Sequence, residues 1–344
     1  MELLDGAGRG VVTTAELRRL GVGPAVLRTL QREGEIVRVA RGTYARASVV
    51  DPDRTGASRA ERARAAEAAH LLRLDALLRS YGTKVGASHR SAALVWGLPV
   101  LGTRVGDRVH LSYRRKDATS RRHDSFTIHR CQHDDAFTRH EGRAVVVPPL
   151  AVIGTAMVGG LKSGLVAADG ALQAGLTTHA ELSDWIARLE RHPGLSVARA
   201  VLEHADGSAE SAGESLLRLV LVRLGVRFET QHWIRVSDGR YYRVDFYLPD
   251  HGVVLEFDGL VKYEAAGGTG TAGRTGGRTG GLAGNPLAAE KSREDAIRAD
   301  GFGVGRVVWG DLSTTAVAGI VRAAADQAAE RARQHVSTPP PWAG

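Results

Sequence analysis

Three acidic residues stand where a charge is expensive to keep. In RVDFYLPDHGVVLEFDG, residues 243–259, Asp245, Glu256 and Asp258 interrupt two runs that otherwise read as buried β-strands. An ionised carboxylate in such surroundings is costly unless basic side chains or a divalent cation satisfy it. Strand side chains alternate between faces. Glu256 and Asp258 therefore share a face with Val254, while Leu255 and Phe257 point into a core. If the two strands pair antiparallel through LPDHG, Asp245 joins the other two. Clustered like charges raise one another's pKa unless a cation compensates. Hard oxygen ligands suit Mg²⁺ or Mn²⁺, and such an ion can activate water at a phosphodiester. The competing reading is ionic, with Arg243, Arg306 or Lys262 pairing the acids on a solvated sheet face.

The chain as a whole is basic. Its 344 residues carry 46 Lys and Arg against 38 Asp and Glu, a formal net charge of +8. That balance favours a polyanionic partner, nucleic acid first, because neutralised phosphates release counterions. Charge alone does not separate DNA from RNA. Nearly all the basic residues are arginine, so a high-GC coding sequence is a second source of the same composition. Length suggests two or three domains. One cysteine, Cys131, excludes an internal disulfide framework. No apolar run reaches the roughly 18 residues of a membrane span, and MELLDGAGRG is not a secretory signal. The expectation is a cytoplasmic protein without a membrane partner.

The elements that position these groups fall into three stretches. Residues 1–50 run helix, turn, helix, hairpin: TTAELRRLGV, GPAVLRTLQREG, then EIVRVARGTYARA with Arg41-Gly42 as its turn. That is the order of a winged helix-turn-helix. Arg28 and Arg32 lie four apart on the second helix and can meet a major groove, and Arg38 and Arg41 lie on the wing. Val26, Leu27 and Leu30 form the apolar face of that helix. A linker at 51–59 leads to a helical–β linking domain, 60–206. Its long first helix carries Leu71, Leu72, Leu74, Leu77 and Leu78, and its strands are RVHLSY, FTIHRCQ and RAVVVPP. The basic RRKDATSRRHDS is a hairpin tip or loop, and PLAVIGTAMVGG and GLVAADGALQAG are separate helices. The third domain, 208–335, runs helix, three strands, helix, strand, helix. A flexible glycine-rich loop, 267–284, lies within it.

Two resemblances follow. ESLLRLVL, RVDFYLPDHGVVLEFDG and EKSREDAIRADGFGVGRVVW, spread over 208–312, resemble in order the blocks of a bacterial family related to the very-short-patch-repair endonuclease, within the PD-(D/E)XK nuclease superfamily. The resemblance implies a restriction-endonuclease-like α/β domain with a mixed sheet and Mg²⁺-dependent cleavage of double-stranded DNA. It implies that Asp245 is the central metal ligand, Glu256 the second acid and Glu214 an additional one. The superfamily usually places a lysine two residues after the second acid, where this chain has Asp258. Lys262 or, preferably, Lys291 could supply that charge; an ion pair between Lys291 and Asp295 is the plainer role. Residues 10–47 resemble the winged helix of abortive-infection type IV (AbiEi-like) antitoxins, and GASHRSAALVWGLP and VVPPLAVIGTA resemble the linking domain of the same proteins. These imply DNA binding and a cognate toxin.

The reading is a multidomain α+β, DNA-binding protein with a metal-dependent endonuclease domain, in phage defence or mobile-element biology. The alternative is a non-enzymatic antitoxin-like transcriptional regulator whose nuclease domain is degenerate. His129, Cys131 and His133 alternate in HRCQH, but three ligands on one strand face make an unusual zinc site, and a hairpin edge is the simpler reading.

Overall fold

Residues 10–50, 58–104, 106–189, 192–259 and 286–343 are described by a computed structural model, in which the chain divides into two units, Met1–Gly207 and Ser208–Gly344. Lys262, Asn285 and the glycine-rich stretch 267–284 lie outside the described residues. The architecture is mixed α+β, with a three-stranded and a six-stranded sheet in the first unit and a four-stranded sheet in the second.

The first unit opens with β1 (Val11–Thr13), α1 (Thr14–Arg19) and α2 (Pro24–Arg32), then β2 (Ile36–Ala40), β3 (Thr43–Arg46) and the short α3 (Ala47–Val50). A capping box starts α1: the Thr13 side chain accepts the Glu16 N–H, and the Glu16 carboxylate accepts that of Thr13. Pro24 occupies the first turn of α2, where its missing N–H costs nothing. The sheet order is β1-β3-β2, all antiparallel. The apolar face expected for α2 is corrected in one place. Leu27 and Leu30 pack on Val12, Leu17, Ile36 and Tyr44, but Val26 is 50% exposed.

Helix α4 (Arg59–Tyr81) ties this sheet to the rest of the unit. Its Leu72 and Ala76 pack on Val11 and Ala45, while Leu74 and Leu77 enter the core of the six-stranded sheet. Next come β4 (Val85–Ala87), α5 (His89–Val95), β5 (Val109–Tyr113), β6 (Arg121–Arg122), β7 (Phe126–His129), β8 (Phe137–His140) and β9 (Arg143–Val146). The sheet order is β6-β7-β5-β4-β9-β8. β5 and β7 run parallel, so the basic segment between them is not a hairpin tip; part of it forms β6, antiparallel to β7.

The two apolar segments read as separate helices form one, α6 (Pro148–Gln173), with a break at Gly160, whose φ of 77° suits glycine. By length and composition α6 could cross a membrane, with a mean hydropathy of 1.6 over its most apolar window. Ala151–Ala156 and Gly164–Ala168 are nevertheless buried against α5, α7 (His179–Arg188) and α8 (Leu195–His204), as in the central helix of a globular core.

The second unit begins with α9 (Ala212–Leu224), capped by Ser211 and ended by left-handed Gly225. Strands β10 (Glu229–Arg235), β11 (Tyr241–Leu248) and β12 (Val253–Phe257) follow, then α10 (Pro286–Ala299), β13 (Gly303–Val307), α11 (Thr314–Ala325) and the short α12 (Glu330–Arg333). Pairing is antiparallel from β10 to β12 and parallel between β12 and β13, a mixed sheet. Leu217, Leu221, Val317 and Val321 of α9 and α11 cover one apolar cluster, and Ile297 of α10 belongs to the other. At Gly213 an added Cβ would stand 1.8 Å from the Phe257 ring. That close approach lets the start of α9 press on the end of β12, where the acids gather.

Candidate acidic site and basic N-terminal face

β11 and β12 pair with Phe246 opposite Leu255, Tyr247 opposite Val254 and Leu248 opposite Val253. One step further in the same register brings Asp245 beside Glu256. Asp245 Oδ2 accepts the Phe257 N–H at 2.8 Å. Burial is the main influence on its carboxyl, and with the Glu256 charge nearby it raises the pKa to about 6. Glu214 comes from the first turn of α9 and is 6% exposed. Its Oε2 accepts the Glu210 N–H at 2.9 Å and a Gln231 side-chain N–H at 3.0 Å. Burial, with the Asp245 charge behind it, raises this carboxyl as well. Gln231 reaches Glu214 from a left-handed position in β10, with φ of 48°; nothing in its sequence context marks it.

The cation over these acids is an arginine. Arg293 of α10 pairs with Glu256, and the two side chains are 30% and 20% exposed. Burial still raises the Glu256 carboxyl against the pull of that guanidinium. Lys291 is exposed on the same helix and forms no ion pair with the acids among the described residues. Arg306 joins Glu290 at 2.6 Å and Glu294 at 2.9 Å, and stands 3.8 Å from Asp258. Arg243 turns instead to Glu210. The structure thus gathers Glu214, Asp245 and Glu256 and draws Asp258 toward Arg306.

As placed, this set is arranged for ion pairing and hydrogen bonding rather than around an ion. Glu256 is engaged by a guanidinium and Asp245 by a backbone N–H. Among the described residues, only His89, His110 and His129 bring ligand atoms from three such groups within 4.8 Å of one another. That grouping also corrects the reading of HRCQH. β7 ends at His129, so the alternation does not continue to Cys131 and His133.

In the first unit, Arg28 and Arg32 on α2 and Arg38 and Arg41 on the β2–β3 hairpin are all exposed. Arg32 reaches Thr29 Oγ1 at 3.4 Å and Arg38 the Ala40 carbonyl at 3.4 Å. Among the described residues none of the four is held in an ion pair. Their charge is therefore available to phosphates.

Residues 1–47 match the family described as "Transcriptional regulator, AbiEi antitoxin". The chain is also similar to the uncharacterized proteins MT2308 and Rv2248 of Mycobacterium tuberculosis, strains CDC 1551 / Oshkosh and ATCC 25618 / H37Rv. Each is 32% identical over 123 residues, which is 36% of this chain and 45% of the relative. The chain thus matches less than half the length of these curated relatives. What ties the N-terminal region to a known family is an antitoxin-type transcriptional regulator domain.

Proposed function

We propose that this protein is a DNA-binding transcriptional regulator of the antitoxin kind, working with a cognate toxin. The carrying observation is the family match over residues 1–47, joined to four exposed arginines on α2 and the β2–β3 hairpin. In this reading residues 10–46 act as a winged helix. Arg28 and Arg32 on α2 lie along the major groove and contact its phosphates, and Arg38 and Arg41 reach phosphates from the hairpin. The second unit is then a nuclease-like domain in which Arg293 occupies the place that a cation would need. Fluorescence anisotropy on the DNA upstream of the protein's own reading frame tests this. Wild type should bind with a strong salt dependence, and the Arg28→Ala/Arg32→Ala variant should bind more weakly. Equal binding by both would refute the assignment.

One feature favours a second reading, a DNA endonuclease. Glu214, Asp245 and Glu256 form one electrostatic cluster at the end of a mixed sheet. Incubation with supercoiled plasmid and Mg²⁺ or Mn²⁺ separates the two. Cleavage by wild type that disappears in Asp245→Ala would establish the nuclease, and intact plasmid alongside salt-dependent DNA binding would leave the regulator.

A further inference from the structure

Three histidines far apart in sequence converge in the first unit: His89 at the start of α5, His110 in β5 and His129 at the end of β7. One ligand atom from each lies within 4.8 Å of the others. His110 Nδ1 and His129 Nε2 are 2.9 Å apart, and the His89 and His129 rings stack at 3.7 Å. We propose that His89, His110 and His129 form a binding site for a zinc ion, with a fourth coordination position open to water.

The chemistry of the donors fits. Burial pushes His110 down to about 4 and His129 to about 3, and holds His89 well below the ordinary imidazole range. All three are therefore neutral at pH 7 and have a lone pair to offer. Zinc holds imidazole nitrogen at about 2.0–2.1 Å, which sets two tetrahedral ligands roughly 3.3 Å apart. His110 and His129 need to part by only a few tenths of an ångström from their present contact. The stacked rings must also splay, and imidazole χ2 is a soft torsion that allows it.

The surroundings show a built position. His89 has φ of 51°, an uncommon conformation for a non-glycine residue and one that gathers at functional sites. Gly154 of α6 makes room for it, since a Cβ there would lie 2.8 Å from both Cα and Cγ of His89. Ser88 Oγ is 3.0 Å from His89 Nδ1, and Ser91 Oγ accepts the backbone N–H of His110 at 2.8 Å while also meeting His70 Nε2 at 2.8 Å. A hydroxyl on a ring nitrogen, as Ser88 stands to His89, orients a metal-bound imidazole, and Ser91 fixes the backbone of β5 at His110. The cluster also reaches open space. His110 and His129 line a cavity of about 470 Å³, and His89 lines another of about 650 Å³ with His192 on its wall. Three protein nitrogens with an accessible fourth position is the composition of an exchangeable zinc site, whereas structural sites are closed by four protein ligands.

The test uses the full chain, stripped with a chelator, loaded with Zn²⁺ and dialysed, with metal measured by mass spectrometry. Wild type should retain about one zinc per chain, as one three-histidine site requires. His110→Ala and His129→Ala should each retain little, while His133→Ala, outside the trio, should match wild type. Far-UV circular dichroism checks that each variant is folded. A second readout covers variants that fold poorly. Ser88→Ala leaves the three ligands in place and should weaken zinc affinity by roughly 10-fold, and Co²⁺ should give wild type the visible absorption of a tetrahedral centre. Zinc retained by folded His110→Ala and His129→Ala, or a wild type that takes up neither Zn²⁺ nor Co²⁺, overturns the site.

Discussion

Asp75 and Asp245 are both shielded carboxylates, and the chain treats them in opposite ways. Asp75, on α4, is 4% exposed and receives a fork of two bonds from Arg143 of β9, at 2.8 and 2.7 Å. Its charge meets a full guanidinium in matched geometry. Asp245 has one backbone N–H, with acids on both flanks and Arg293 committed to Glu256. The first arrangement pins a helix to a sheet. The second leaves a carboxyl that gives up its proton reluctantly, near pH 6. A carboxylate of the first kind is explained by stability alone, while one of the second kind weakens the fold at neutral pH and calls for another reason to be there.

Breaking the first pair gives the largest effect. Arg143→Ala removes the guanidinium fork from a buried carboxylate and should lower stability by about 3–5 kcal/mol, read by urea denaturation. A loss below about 1 kcal/mol would mean that the pair behaves as a surface one. Next, Asp245→Asn should stabilise the second unit. A raised folded-state pKa means that the native state holds its proton more tightly than the unfolded chain does. The associated stability is complete below the unfolded pKa and disappears as pH rises through about 6. The variant should therefore gain on wild type as pH climbs from 4 to 8, by on the order of 2–3 kcal/mol at the upper end. A gain independent of pH would place its origin elsewhere. Arg293→Ala leaves Glu256 without its guanidinium. At 20–30% exposure the pair lies between the buried and surface cases, so the loss should be about 2 kcal/mol at pH 7. That loss should fade as pH falls and Glu256 takes up a proton.

The same contrast shows what was legible in the sequence. Period-2 alternation and turn residues mark β11 and β12, and their short connection makes antiparallel pairing the simple choice, so Asp245 and Glu256 meet as their spacing suggests. The helix caps Thr13, Ser211 and Gly225 are equally local. What decides the site's charge is not local. Arg293 lies 37 positions from Glu256, and the periodicity of α10 offers no reason to prefer it to Lys291. The histidine trio has the same character. His89, His110 and His129 come from a helix start and two strands, and β5 and β7 are parallel neighbours that no turn motif announces. β4 has only three residues, too few for any alternation to show. Gly160 marks a break that reads equally well as a helix boundary or as a kink within one helix.

The smallest expected effect concerns binding. Arg28 and Arg32 are exposed and free of ion pairs among the described residues, so removing one should leave stability unchanged within about 0.5 kcal/mol. A phosphate contact releases about 0.9 of a counterion from duplex DNA, so losing it should reduce the slope of log affinity against log salt by about 1. Between about 50 and 200 mM salt that amounts to a change of roughly 3.5-fold, or about 0.7 kcal/mol. Arg28→Ala should thus bind more weakly at low salt and approach wild type at high salt, uniformly across sequences. If the loss instead depends on one base pair and persists at high salt, Arg28 is reading a base edge, where a bidentate contact discriminates by about 1–3 kcal/mol. If neither slope nor affinity changes, the exposed face of α2 is not where the duplex lies, and the basic surface of the chain must be searched elsewhere.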